Sequence, residues 1–295
     1  MKHITTETRH RQSSHLDEMT TQEILQLMNQ EDQHIPNVIT TQFNAIQRVI
    51  DLTSEVYLNG GKVIYIGAGT SGRLGVLDAA ELVPTFNADP HRYFGLIAGG
   101  PEAMTQAIEG VEDQQQQGAI DLSSVELTSQ DIVIGIAASG RTPYVVGALL
   151  YAQSIGASTV ALSCNTHSII SQYATIAIEV PVGPEILTGS TRLKAGTAQK
   201  MILNMISTAT MIRIGKVYDN LMIDVQATND KLIARSIHII QTITQLDEHE
   251  SKKLYHHAHQ NIKAAIIMHF NSVSYSEAQQ LLAMHHGNVK SVINV

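Results

Sequence analysis

Short apolar runs alternate along the chain with segments whose apolar residues recur at helical spacing. The runs near 62–66, 92–98, 131–137, 158–163 and 175–180 are too uniformly apolar for surface helices and predict strands buried on both faces. Helical patterns separate most of them, and that alternation predicts an α/β fold on a parallel sheet covered on both sides. Ahead of the first strand, residues 1–18 are polar and suggest a tail or arm. Thr20-Thr-Gln-Glu23 then has the form of a capping box, opening a helix through about Asn29. From Pro36, the spacing of Ile39, Phe43, Ile46, Ile50 and Val56 predicts one longer helix that stops at Gly60-Gly61. Beyond the last strand, long helices are expected from the Thr188–Lys200 block to about Ile214 and from Asn220 to about Leu246. Turn signals come too often in 247–295 for one helix, so several short ones are expected there, with Ile262, Ala265, Ile266, Leu281 and Leu282 inward.

The first strand feeds the most informative stretch, Val63-Ile-Tyr-Ile-Gly-Ala-Gly-Thr-Ser-Gly-Arg-Leu-Gly-Val-Leu-Asp-Ala-Ala-Glu81. A buried strand that ends in a Gly/Thr/Ser loop and opens a helix builds an anion site from backbone N–H groups, the helix dipole and the Thr70 and Ser71 hydroxyls. Gly67-x-Gly69-x-x-Gly72 also satisfies the dinucleotide fingerprint. That reading needs an acidic residue roughly 20 positions past the last glycine, where this chain has Arg92. A second strand runs into Ser139-Gly-Arg-Thr-Pro143, where Thr142 and Pro143 suit the N-cap and first position of a helix through Ala152. Either loop alone fits an ordinary helix cap as well as it fits an anion site. Two of them on one carboxyl edge, each with Gly and Arg beside a hydroxyl, favour a sugar phosphate.

Composition narrows the partners. The chain has 295 residues, 43% hydrophobic, and a formal net charge of −8 without a Lys/Arg-rich run, which argues against a nucleic-acid or anionic-membrane surface. The start lacks the apolar core of a signal peptide and no run approaches membrane-spanning length, so a cytoplasmic enzyme is expected. Cys164 is the only cysteine, which rules out an internal disulfide and suggests a buried, inert thiol after its strand. His256-His-Ala-His259 and His285-His286 lack matching carboxylates at ligand spacing, and no metal or other cofactor is expected.

Three blocks carry a family resemblance: Tyr65–Glu81, Gly135-Ile-Ala-Ala-Ser-Gly-Arg-Thr-Pro-Tyr144 and Gly189-Ser-Thr-Arg-Leu-Lys-Ala-Gly-Thr-Ala-Gln-Lys200. Over nearly its whole length the chain resembles the N-acetylmuramic acid 6-phosphate etherases of the sugar isomerase (SIS) superfamily. The resemblance implies a three-layer αβα SIS domain with amino-terminal helices and a small carboxy-terminal helical domain. The expected division is an arm and helices over 1–53, the sugar-phosphate-binding domain over 54–217, a linking helix over 218–246 and a UBA-like helical domain over 247–295. Implied too are cleavage of the D-lactyl ether to N-acetylglucosamine 6-phosphate and D-lactate in cell-wall sugar recycling, a homodimer, and no metal. The family pattern places acid/base carboxylates at Glu81 and Glu112, with Glu81 as the acid toward lactate and Glu112 as the C2 base. Candidate substrate and phosphate ligands on the three blocks are Thr70, Ser71, Gly72, Arg73, Ser139, Gly140, Arg141, Thr142, Ser190, Arg192 and Lys194. The chain departs from the pattern at Leu82-Val83 and at His10, where the amino-terminal motif usually has Asn.

Two readings of the residues stay open beside that resemblance. By itself, Glu112 fits a solvated helix charge in the patch Glu109, Glu112, Asp113. In one straight helix Glu81 would lie about 14 Å from the phosphate turn at roughly 1.5 Å per residue, so either Gly75 interrupts the helix or Glu81 serves a site completed by a second subunit. An aldose–ketose isomerase and a catalytically silent sugar-phosphate sensor are the alternatives; a sensor would need the loops but neither acid.

Overall fold

The computed structural model describes residues 4–225, 227 and 229–293. It divides into two compact units, Met1–Ala80 with Pro90–Ser207, and Glu81–Asp89 with Thr208–Val295.

The first unit is organised by five parallel strands: β1 (Val63–Gly67), β2 (Tyr93–Ile97), β3 (Ile132–Ala137), β4 (Ser158–Ser163) and β5 (Ile176–Glu179), in the order β2-β1-β3-β4-β5. Side chains alternate across the sheet. Ile64, Ile66, Val133 and Ala137 form one core with Leu122, Val145, Leu149 and Ala152 from α5 (Gln115–Ser124) and α6 (Pro143–Ile155). The opposite face carries Tyr65 and Ile136 toward α4 (Gly69–Phe86), with α3 (Phe43–Leu58) against β1 and β5. This is the three-layer arrangement that the alternating pattern predicts.

Local chemistry explains most of the element ends. Thr20 and Glu23 form the reciprocal capping box of α1 (Thr21–Asp32). Pro143 occupies the first turn of α6, although the Thr142 hydroxyl makes no capping bond. Two expectations are corrected. The helix expected from Pro36 to Gly60 is broken at 41–42 into α2 (Ile35–Thr40) and α3. The last long helix of this region, α7 (Lys194–Arg213), begins only at Lys194, with 188–193 in turns. Of the tail or arm expected at the amino terminus, residues 4–18 form the arm: Thr6 is fully buried and short 3-10 turns occupy Thr5–Glu7, Arg11–Ser13 and Leu16–Glu18.

In the second unit, a helix expected from Asn220 gives way to a two-stranded hairpin, β6 (Val217–Tyr218) and β7 (Leu221–Met222); the helix α8 spans only Asp230–Thr244. Asp219, at φ 51°, makes the left-handed turn that separates the two strands and forestalls a helix. Then come α9 (Glu248–His257), α10 (Ile262–Asn271), α11 (Tyr275–Met284) and α12 (Val289–Ile293), the short helices that the turn signals predict. Ile262, Ala265, Ile266 and Leu282 lie in their shared core and Leu281 at its margin. Asp224 anchors the hairpin by accepting from Lys216 (2.7 Å) and Lys263 (3.1 Å). Burial alone would raise its carboxyl, but the two ammonium groups hold it below the usual carboxylate range.

Candidate active site

The strand order places the site. Helices on either side of β1 and β3 run to opposite neighbours, so the carboxyl ends of these two strands open a crevice at the topological switch point. β1 pairs directly with β3, with Gly67 opposite Ile136, so the loops Ala68–Ser71 and Ala138–Thr142 stand side by side.

Close approach governs the first loop. A Cβ on Gly72 would come within 2.6 Å of the Gly67 carbonyl oxygen, and one on Gly67 within 2.9 Å of the Gly72 nitrogen, so only glycine allows the strand to turn so tightly into α4. The Gly72 N–H closes the first turn onto Ala68 O at 3.2 Å, and the preceding amides belong to the positive end of the helix. The second loop turns at Gly140, with φ +72°, and Ser139 Oγ accepts from Arg141 N–H at 3.4 Å. The third block joins them: a Cβ on Gly196, in the first turn of α7, would stand 3.5 Å from Thr70 Cγ2, and Ser71 Oγ donates to Gln199 Oε1 at 3.0 Å.

Several candidates have partners inside the chain. Ser71 is buried and spends its proton on Gln199 rather than facing outward. Arg73 donates from Nε to Ala103 O (2.9 Å) and from Nη2 to Gln106 O (2.8 Å), so its guanidinium ties down the 101–106 segment. Lys194 is buried and ion-paired with Glu31. The first turn of α7 also has its own anion, for the buried Glu185 carboxylate accepts from Lys194 N–H (3.0 Å) and Ala195 N–H (2.9 Å). Burial raises the Glu185 carboxyl despite those two donors. These internal partners do not take up the starts of α4 and α6, around which Thr70, Ser139, Gly140 and Thr142 stand, whereas the Gly72 N–H is already bonded to Ala68 O. Arg141 and Arg192 are exposed, and Ser190 is half-buried in the turn before α7.

Glu112 is half-buried in a 3-10 turn, Val111–Asp113, whose Val111 packs beneath Gly99 at the carboxyl end of β2. A cavity of about 530 Å³ adjoins it, lined by Leu96, Pro101, Met104, Val111 and Gln114 among others. Glu81 is exposed, and α4 runs through Gly75 without a break. The interruption that would have brought Glu81 back toward the phosphate turn does not occur.

A buried polar network that sequence reasoning missed lies along α4. Asp78 accepts from Asn204 Nδ2 (2.6 Å), Tyr65 Oη (3.0 Å) and Ser207 Oγ (3.1 Å), while Tyr65 Oη also lies 2.8 Å from Tyr93 Oη. Burial holds the Asp78 carboxyl above its ordinary value even with three donors on it. Burial likewise pushes up the Cys164 thiol, as expected of an inert cysteine. Among the described residues no cluster of three or more His, Cys, Asp or Glu is placed to hold a metal ion.

A parallel sheet of this order, with hydroxyl-bearing turns at its switch point, is a doubly wound α/β fold, and the matching family models make it a SIS-domain protein. The N-terminal SIS domain of glucokinase regulatory protein matches residues 44–153, the SIS domain 117–209, and the C-terminal lid domain of glucokinase regulatory protein 219–263. A phosphoheptose isomerase from Neisseria gonorrhoeae shares the fold, with a TM-score of 0.50 at 15% identity over 64% of this chain and 98% of that one. Among curated proteins, an N-acetylmuramic acid 6-phosphate etherase of Staphylococcus epidermidis is 57% identical over 100% of both chains, and one of Staphylococcus aureus is 55% identical over 99% of this chain and 98% of its own. The chain belongs to the N-acetylmuramic acid 6-phosphate etherase family.

Proposed function

We infer that the chain is an enzyme, a carbon–oxygen lyase that cleaves the D-lactyl ether of N-acetylmuramic acid 6-phosphate with water, giving N-acetylglucosamine 6-phosphate and D-lactate in cell-wall sugar recycling. End-to-end identity of 57% with the Staphylococcus epidermidis etherase carries this reading. The paired loops at the switch point support it, because they offer hydroxyls and helix-start amides to a phosphate.

The chemistry needs little beyond that cradle and two carboxyl groups. In the ring-opened sugar the C2 hydrogen is alpha to the C1 aldehyde, and Glu112 removes it as the base. The electron pair is first held as the C1 enolate; it then forms a C2–C3 double bond as the C3–O bond breaks, and Glu81 protonates the departing lactyl oxygen. Water then adds at C3, losing its proton to Glu81, and the Glu112 carboxyl returns a proton to C2. Each positioned proton transfer contributes about 10²–10⁴-fold. Glu112 is half-buried rather than fully solvated, a setting that suits a base, although it does not itself line the neighbouring cavity.

Glu81 acts on this reading in the site of a second copy, since α4 is unbroken and carries it about three turns beyond the phosphate loop. The active species is a homodimer, which light scattering would show as about twice the 32.1 kDa chain mass; an active monomer would refute the shared site. No helix among the described residues is long and apolar enough to cross a membrane, which fits a cytoplasmic enzyme that cell fractionation can check. Substrate selection is tested by offering unphosphorylated N-acetylmuramic acid: turnover equal to that of the 6-phosphate would remove the loops from the site.

A further inference from the structure

The polar amino-terminal arm has no apolar run to bury, yet it is fixed at two points. Near its start, Asn165 Oδ1 accepts from Thr5 N–H (2.9 Å), Thr5 Oγ1 (2.8 Å) and Thr6 N–H (3.4 Å), while Asn165 Nδ2 donates to Thr6 Oγ1 (3.1 Å) and to Ala138 O (3.0 Å). Asn165 follows β4, and Ala138 immediately precedes Ser139. This anchor therefore sits on the carboxyl edge that bears the second phosphate loop. Further on, His10 Nε2 lies 3.2 Å from Glu31 Oε1, and the other oxygen of Glu31 takes Lys194 at the start of α7. Between the anchors, Glu7 Oε2 comes within 3.6 Å of where a Cβ on Gly189 would stand, at the edge of the third block.

We propose that this arm is a wall of the sugar-phosphate site and that Arg9 is the residue through which it holds an oxyanion of the substrate. The proposal rests on the sugar-phosphate reading above. The chain from Thr6 to His10 can span no more than about 14 Å, at up to about 3.6 Å per residue, so both anchors keep Arg9 beside the crevice. Charge accounting gives it work there. The substrate brings a phosphate and a lactyl carboxylate; Arg73 is spent on backbone carbonyls and Lys194 on Glu31, so the exposed cations are Arg141 and Arg192 on the second and third blocks and Arg9 on the arm. Arg9 is exposed, and none of the described hydrogen bonds or ion pairs engages its guanidinium, not even with Glu7 on the same arm. Next to it, His10 Nδ1 is buried without a partner, a second polar position that a ligand can complete. A guanidinium suits a phosphate or carboxylate because its fork can donate twice to either.

Titration calorimetry on the full chain tests this with two probes, N-acetylglucosamine 6-phosphate, which has only the phosphate, and N-acetylmuramic acid, which has only the carboxylate. Arg9→Ala should weaken one of them about 10- to 100-fold, the range expected for a hydrogen bond to a charged group. Weakening of the first assigns Arg9 to the phosphate, and of the second to the lactyl group. Arg9→Lys should recover part of the loss, and Asn165→Ala, which releases the first anchor, should reproduce it. The thermal midpoint of Arg9→Ala should match the parent, because the side chain is exposed and unpaired. If Arg9→Ala binds both probes as the parent does, the arm is not part of the site. A parent chain that binds N-acetylglucosamine 6-phosphate but releases no lactate would sink the etherase reading alone, and the Arg9 proposal would then stand or fall on whether Arg9→Ala weakens that binding; one that binds neither probe overturns both.

Discussion

Gly140→Ala tests whether the second loop is shaped for its task. At φ +72° an alanine costs about 1–2 kcal/mol in backbone strain alone. Its Cβ would also stand 2.3 Å from Ser168 Oγ and 2.5 Å from Ser168 Cβ. Ser168 cannot yield freely, because its hydroxyl is engaged with Ser163 Oγ (2.7 Å) and Asn165 O (2.9 Å) in the buried anchor of the arm. Relieving such overlap costs about 1–3 kcal/mol more, for a total of about 2–5 kcal/mol. Gly60→Ala is the matched control, since φ is +92° there and nothing lies within 4 Å of a Cβ. It should carry the strain without the overlap. By calorimetry Gly140→Ala should melt a further 2–12 °C or so below Gly60→Ala, at about 2–4 °C per kcal/mol for a chain of this size. Its Michaelis constant should rise as the loop shifts, while that of Gly60→Ala stays near the parent value. Equal melting points and equal Michaelis constants for the two variants would refute the argument.

The remaining predictions concern single side chains. In deuterated water Glu81→Gln should exchange the C2 hydrogen of unreacted substrate while releasing almost no lactate, whereas Glu112→Gln should lose both reactions; the opposite split, read by NMR, would reverse their roles. Ser139→Ala or Thr142→Val should raise the Michaelis constant about 10- to 100-fold with a smaller fall in kcat, by loss of a hydroxyl to a charged oxygen; unchanged kinetics in both would place the phosphate elsewhere. Asp78 has a folded pKa above its unfolded value, so the folded chain binds this proton more tightly than the unfolded chain does. Its contribution to stability must therefore fall as pH rises from the unfolded value of about 3.9 through the raised folded one. Urea midpoints of Asp78→Asn should lack that decline, and parallel pH profiles for variant and parent would contradict it.

Strands and loop chemistry were legible because they are local. Uniform burial of β1 and β3 writes itself as unbroken apolar residues, and Gly67 to Gly72 or Ser139 to Pro143 declare a tight turn into a helix. What escaped depends on contacts distant in sequence. Nothing near Lys194 says that Glu31 will neutralise it, nothing near Arg73 that carbonyls of 103–106 will fill its fork, and nothing in residues 4–10 that Asn165 will hold them. The hairpin at 217–222 was misread as helix because the left-handed turn at Asp219 is set by neither a glycine nor a proline. Among the candidate ligands, sequence could not separate side chains left free from those, such as Ser71, that bond within the chain.

Cleavage of a lactyl ether on a sugar 6-phosphate is the activity to measure first. Purified chain should be incubated with N-acetylmuramic acid 6-phosphate, with D-lactate measured by an enzymatic assay and the sugar product by mass spectrometry. D-lactate and N-acetylglucosamine 6-phosphate should form in equal amounts, abolished together by Glu81→Gln. Folded chain that releases no lactate, or that only converts sugar phosphates between aldose and ketose forms, would contradict the proposed function.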